Sequence, residues 1–237
     1  MSMYPSAGAG RRPVELGYAT DEKVVFNFFN VVYAWMAVGL AVTAAVGYGA
    51  AQAGLVIRSP GVAVAVALGT VAIAWVIRGA TERLSPTAAT ALFLFYAAVV
   101  GYLISYVFVL YSLATLGAAF ALTAGTFGGM SVYGFVTRRD LTSLGSMLIM
   151  CVWGLFLASV VNIFVASGVL SWVITYAVLA VFIGLTAYDT QTLKAIALAT
   201  QGNARLAARL AVVGALDLYL DFINIFLSIV RIVGNRH

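Results

Sequence analysis

The stretch LTSLGSMLIMCVWGLFLASVVNIFVASGVLSWVITYAVLAVFIGLTAY, residues 141–188, runs 48 positions without a charged side chain and ends against Asp189. A membrane helix needs about 20 apolar residues to cross roughly 30 Å of hydrocarbon, so this stretch holds two crossings. Residues 24–57 and 59–77 hold one crossing each by the same measure, and 84–137 holds two. That makes six. A seventh apolar run, about 206–233, is interrupted by Arg209, Asp217 and Asp221, yet its leucine, isoleucine and phenylalanine content favours burial in a bundle. The pattern predicts an all-α integral membrane protein with seven transmembrane helices. A polar cytoplasmic tail, 1–23, precedes a single seven-helix membrane domain, 24–237.

Composition excludes the soluble alternatives. Of 237 residues, 63% are apolar and 9% charged, whereas a soluble domain carries about 25% charged residues to wet its surface. The net charge of +5 comes from short basic clusters between apolar blocks, which reads as membrane topology and predicts no nucleic-acid partner. A single cysteine, Cys151, rules out an intrachain disulfide and reads as a small buried hydrophobe. The one histidine is His237, so a zinc-protease helix or a Ser-His dyad is absent.

Turn signals fall between the apolar blocks. Ser59-Pro60 and Ser85-Pro86 each set a capping serine before a proline at the first helical position. Within the two long stretches the turns are expected near 111–115 and at Ser167-Gly168. With the N-terminus cytoplasmic, the inner segments carry Arg11, Arg12, Lys23, Arg78, Arg83, Arg138, Arg139, Lys194, Arg205 and Arg209, and the outer ones only Arg58, Arg231 and Arg236. A seventh run that crosses fully puts the C-terminus outside, and one that re-enters puts it inside. The polar first 23 residues predict no signal peptide. Eleven arginines against two lysines suit a bacterial source, hence a bacterial cytoplasmic (inner) membrane.

Gly117, Ala121, Gly125 and Gly129 recur every fourth residue in the fourth span. Small residues at that spacing let helix backbones approach in lipid, so this helix is expected to lie tight against a neighbour. The acids carry more chemistry. Asp189 ends the sixth apolar run, while Asp217 and Asp221 lie four apart on one face of the seventh, with Asn224 at the next turn. A carboxylate at membrane depth costs on the order of 2.5–3.5 kcal/mol, so each of these faces the bundle interior, pairs or holds a proton.

Asp189 and Asp221 reach similar depth if the sixth helix continues past Lys194. Two carboxyls in contact at a dry site do not both ionise readily, so the pair is expected to share one proton and to act as a pH sensor. Its loss leaves two oxygen-rich anions suited to a hard cation such as calcium. Arg78, the first charge after the second span, faces the same side and either clamps one of these carboxylates as a latch or simply anchors the helix end. Asp217 and Asn224 are further candidates for the ion path.

At these residues the chain resembles a known family. Tyr133-Gly134-Phe135-Val136-Thr137-Arg138-Arg139-Asp140-Leu141, Asn162-Ile163-Phe164, Tyr188-Asp189-Thr190-Gln191 and Leu218-Tyr219-Leu220-Asp221-Phe222-Ile223-Asn224 are similar to the transmembrane Bax-inhibitor-motif family in its bacterial form. The resemblance covers nearly everything after residue 24. It implies a C-terminal helix at the centre of the bundle, wrapped by the other six, and a calcium leak regulated by pH. It further implies that Asp189 and Asp221 are the sensor pair and that Arg78 is the latch. Asp217 is not part of the family pattern, and an extra acid there would alter the pH midpoint or widen the cation site.

The favoured reading is a pH-sensitive calcium leak, with calcium and protons as its ligands and no resident cofactor. The alternative is a non-transporting membrane regulator that binds and modulates membrane proteases or stress proteins. An aspartyl intramembrane protease ranks below both: Gly214-Ala215-Leu216-Asp217 lacks the glycine beside the acid, and no proline follows Pro86. A retinal protein needs a lysine in the last span, and the only lysines are Lys23 and Lys194.

Overall fold

In the computed structural model, which describes residues 12–57, 59–79 and 85–234, three serines decide where the apolar chain turns. Ser85 Oγ accepts from Ala88 N at 3.2 Å and starts the helix Pro86–Leu103 with proline in its first turn. Ser112 Oγ takes Thr115 N at 3.2 Å, and Ser167 Oγ takes Leu170 N at 3.3 Å. Each serine replaces a partner that the first helical amides lack, a need that is acute where lipid offers none. Ala166, in the left-handed region at φ 51°, closes the preceding helix, and Asn162 Oδ1 receives Ser167 N at 3.1 Å. Both turns expected inside the long stretches are therefore present.

Eight helices result: α1 (Arg12–Gln52), α2 (Pro60–Gly79), α3 (Pro86–Leu103), α4 (Tyr106–Leu110), α5 (Leu113–Val136), α6 (Thr142–Val165), α7 (Gly168–Ala199) and α8 (Ala204–Gly234). Six segments are long and apolar enough to cross a membrane: Glu22–Gln52 of α1, Pro86–Leu110 of α3 and α4 together, and the whole of α5, α6, α7 and α8. α2 adds 20 residues, roughly 30 Å of rise. α1 starts inside the polar N-terminal segment. Of the basic residues used for topology, Arg11, Arg58, Arg83 and Arg236 lie outside the described residues, as does His237.

α8 packs against α1, α2, α3, α5 and α7, while α6 docks on α7. The most buried span is α8 and the least buried is α6. Tyr219 of α8 is fully buried, and its hydroxyl lies 2.7 Å from Thr43 Oγ1 of α1. Since Thr43 donates its own proton to Ala97 O of α3 at 2.9 Å, the phenol is the donor, and one chain of hydrogen bonds ties three helices. Phe93 and Tyr96 of α3 meet the same ring edge to face at 5.7 and 6.0 Å.

At the start of α6, Asp140 Oδ1 accepts from Thr142 N at 2.9 Å. Hydrogen bonding from the Thr142 side chain, and then from its N–H, holds this exposed carboxyl below the usual carboxylate range. The contribution of this contact to stability is thus complete above that range and fades as pH falls through the lowered value.

Two expectations are corrected. Gly117, Ala121, Gly125 and Gly129 are all exposed on α5, and added Cβ atoms on the three glycines would meet nothing within 4 Å. The close approach uses the opposite side of α5, where Leu116, Ala119, Thr123 and Phe127 are buried and Gly134 lies against the Ala187 carbonyl of α7. The reason is spacing alone: a four-residue stripe names a face but not what that face meets. Cys151 is exposed rather than buried, because α6 lies at the bundle's periphery and turns Met150, Leu157 and Phe164 outward with it.

Gly134 and Gly125 supply a paired test. Gly134→Ala forces a methyl into the Ala187 carbonyl and is expected to cost about 1–3 kcal/mol, read as a lower unfolding temperature in detergent. Gly125→Ala, mid-helix with open space around it, is expected to leave that temperature unchanged or to raise it slightly.

Candidate functional site

The C-terminal half of α7 is fastened before its acid is aimed. Gln191 receives Leu141 N on Oε1 at 2.9 Å and donates from Nε2 to Arg139 O at 2.8 Å. Lys194 Nζ donates to Phe135 O at 2.9 Å and stands 4.7 Å from the centre of the Phe135 ring. These side chains grip the α5–α6 connection and fix the rotation of α7. Since α7 continues past Lys194 to Ala199, Asp189 lies well inside the helix rather than at its end. Thr186, Thr190 and Thr192 satisfy their hydroxyls on carbonyls four residues back, so polar side chains sit in this helix without unpaired groups.

α8 runs antiparallel to α7 after the 200–203 turn and presents Asp217, Asp221 and Asn224 to the same space as Asp189. That space is a cavity of about 520 Å³, with Arg78 of α2 and Tyr96 of α3 also in its wall. Arg78 Nη2 lies 2.5 Å from Asp217 Oδ1 as a close ion pair. Asp189 and Thr186 both lie within hydrogen-bonding reach of Asp221. A hydrogen bond between two carboxyls requires a proton on one of them. The second oxygen of Asp221, Oδ2, is buried without a hydrogen-bond partner.

Exposure falls with depth. The side chain of Arg78 is 52% exposed and that of Asp217 24%, while Asp221 is 2% exposed. The cavity thus has a charged mouth and a carboxyl floor. Trp75 of α2 and Trp153 of α6, both exposed and 6.3 Å apart, line it from the outer face of the bundle.

All five residues singled out from the sequence, Arg78, Asp189, Asp217, Asp221 and Asn224, line this one cavity. Sequence reasoning did not assign Arg78 to Asp217, since spacing along a chain says nothing about which of three acids an arginine on another helix meets. It also missed Thr186, although a residue three before Asp189 shares its helical face, and that was the available signal. Tyr96 carried no signal, being one aromatic in an apolar run.

Comparison with known proteins agrees with the motifs. A family model described as "Inhibitor of apoptosis-promoting Bax1" matches residues 25–237. Inner membrane protein YbhL of Escherichia coli is 41% identical over 216 residues, covering 89% of this chain and 92% of that protein. An uncharacterized protein of Deinococcus radiodurans is 44% identical over 213 residues, 90% of this chain and 92% of its own length. One of Borreliella burgdorferi is 37% identical over 228 residues, 94% and 98% respectively.

The Gln191 clamp has a direct consequence. Gln191→Met keeps the side chain's length, removes both backbone hydrogen bonds, and is expected to cost about 1–2 kcal/mol. Limited proteolysis should then cut faster within 137–141, with a lower unfolding temperature.

Proposed function

The chain belongs to this family of Bax1 inhibitors, and from that premise and the paired acids we propose that it is a pH-sensitive calcium leak channel of the bacterial inner membrane. In this reading α8 is the central helix, and the path runs along the face that carries Asp217, Asp221 and Asn224. The observation that carries it is the placement of Asp189 and Asp221 together at the floor of a cavity whose mouth holds Arg78.

The mechanism follows from the shared proton. While it is present, one carboxyl donates to the other and α7 is held to α8 across the floor of the cavity. Its loss replaces that bond by repulsion between two anions at short range in a medium of low dielectric, which drives the helices apart. The same step creates the ligand for the cargo: two carboxylates, with Asp221 Oδ2 already lacking a partner, offer hard oxygens to calcium. Among the described residues no three acids, histidines or cysteines gather as a metal cluster. Two carboxylates with water completing the shell suit an ion in passage better than one in residence, because conduction needs binding weak enough to release.

Asp217 sets the state of the latch. Its carboxylate holds Arg78 at the mouth, where the guanidinium opposes cation entry without taking the proton acceptor of the deeper pair. Opening then requires two changes, loss of the buried proton and displacement of an ion pair.

Purified protein in vesicles loaded with a calcium dye gives the test. Flux is expected to be several-fold greater at pH 8 than at pH 6, and Asp221→Asn is expected to abolish the difference, since an amide cannot release the proton. Equal wild-type flux at the two pH values would overturn the channel reading in favour of a non-transporting regulator.

A further inference from the structure

A second cavity of about 470 Å³ opens around Arg231, ten residues and roughly 15 Å of helical rise beyond Asp221 on α8. Its polar lining is Tyr106, Tyr111, Thr175, Asn224, Ser228 and Arg231. Val178 of α7 and Asn224 of α8 line both this cavity and the acid cavity. The two spaces therefore back onto the same pair of side chains, one from each helix of the proton-sharing pair. Asn224 Nδ2 donates to Leu220 O of its own helix at 2.8 Å, so its amide is not a tie between α7 and α8. Separation of those helices would open one space into the other.

Among the described residues, the far cavity holds one charge in a neutral setting. Arg231 is half-buried, donates to Ser171 Oγ, and lies 5.7 Å from the centre of the Trp172 ring. These partners orient the guanidinium and leave its charge uncancelled. Among the described residues no carboxyl lines this cavity, and the titratable groups in its wall besides Arg231 are the phenols of Tyr106 and Tyr111, a type of group whose ordinary pKa is about 10. Arginine stays protonated throughout the physiological range. A fixed charge of one sign in a narrow, low-dielectric passage lowers the local concentration of ions of that sign.

We propose that the Arg231 cavity is the far vestibule of the same cation path, and that Arg231 is a fixed positive barrier that sets the leak rate at every pH. The inference rests on the calcium-leak reading and adds a second, pH-independent control to it. The acid pair decides when the path is open. Arg231 decides how fast an open path passes cations.

Calcium flux into dye-loaded vesicles, measured at pH 6 and pH 8 for wild type, Arg231→Gln and Arg231→Lys, separates the two controls. Arg231→Gln is expected to raise flux by about tenfold at both pH values with their ratio unchanged, and Arg231→Lys to behave as wild type. An unchanged rate in Arg231→Gln, or an altered pH ratio, would overturn the inference.

A second measurement needs no flux. In nanodiscs, with Cys151→Ser removing the native thiol, Leu227→Cys in the cavity wall is expected to react about tenfold faster with an anionic thiol reagent than with a cationic one. Arg231→Gln should remove that preference, and equal rates with Arg231 in place would overturn the vestibule. A wild type lacking pH-dependent flux sinks the reading beneath the inference. A wild type with that flux but indifferent to Arg231→Gln sinks the inference alone.

Discussion

The approach of two carboxyls, Asp189 on α7 and Asp221 on α8, inside one cavity is the constraint on which the rest of this structure turns. Two carboxyls so placed can bond only while one of them carries a proton, so in the function proposed above this one contact between two long helices is conditional on protonation in a way that no apolar contact is. Its surroundings keep that condition sharp. Asp221 is 2% exposed, Thr186 beside it is fully buried, and little water is available to solvate an anion there. The charge that does reach the cavity is met at the mouth, where Arg78 pairs with Asp217 rather than with the deeper acids.

The remainder of the bundle is tied together around this pair. Tyr219, two residues before Asp221, is bound through Thr43 to Ala97, so α8 is anchored to α1 and α3 by a fully buried hydrogen-bond chain. Gln191, two residues after Asp189, fastens α7 to the α5–α6 connection. Each acid thus sits one short step from a rigid tie. Apolar side chains such as Phe26, Met150 and Phe164 cover the outside and face the lipid.

Much of this was legible before any coordinates. Uncharged blocks marked the long apolar helices, six of which are long enough to cross a membrane, because charge is costly in hydrocarbon, and the serines before Pro86 and Gly168 marked helix starts because unpaired amides are equally costly there. Acids at membrane depth stood out for the same reason, and all three line one cavity. The misreadings share a cause. The Gly117–Gly129 stripe and Cys151 were assigned to the interior from their residue type, and both face outward. In lipid, small and apolar side chains are tolerated on either side of a helix, so residue type loses the power to tell inside from outside that it has in water.

The sequence by itself determined the solvent this protein occupies, the positions of its turns and the identities of its intramembrane charges, because each is a local matter of transfer free energy or backbone hydrogen bonding. Only the tertiary structure decided the partnerships: Arg78 with Asp217 instead of the pair, Tyr219 with Thr43, the close face of α5 on the side of Gly134, and a second cavity reaching Asn224 from the Arg231 end. Those depend on how each helix is rotated about its axis. In a bilayer that rotation is set by side-chain packing between distant segments, which apolar content along the chain does not encode.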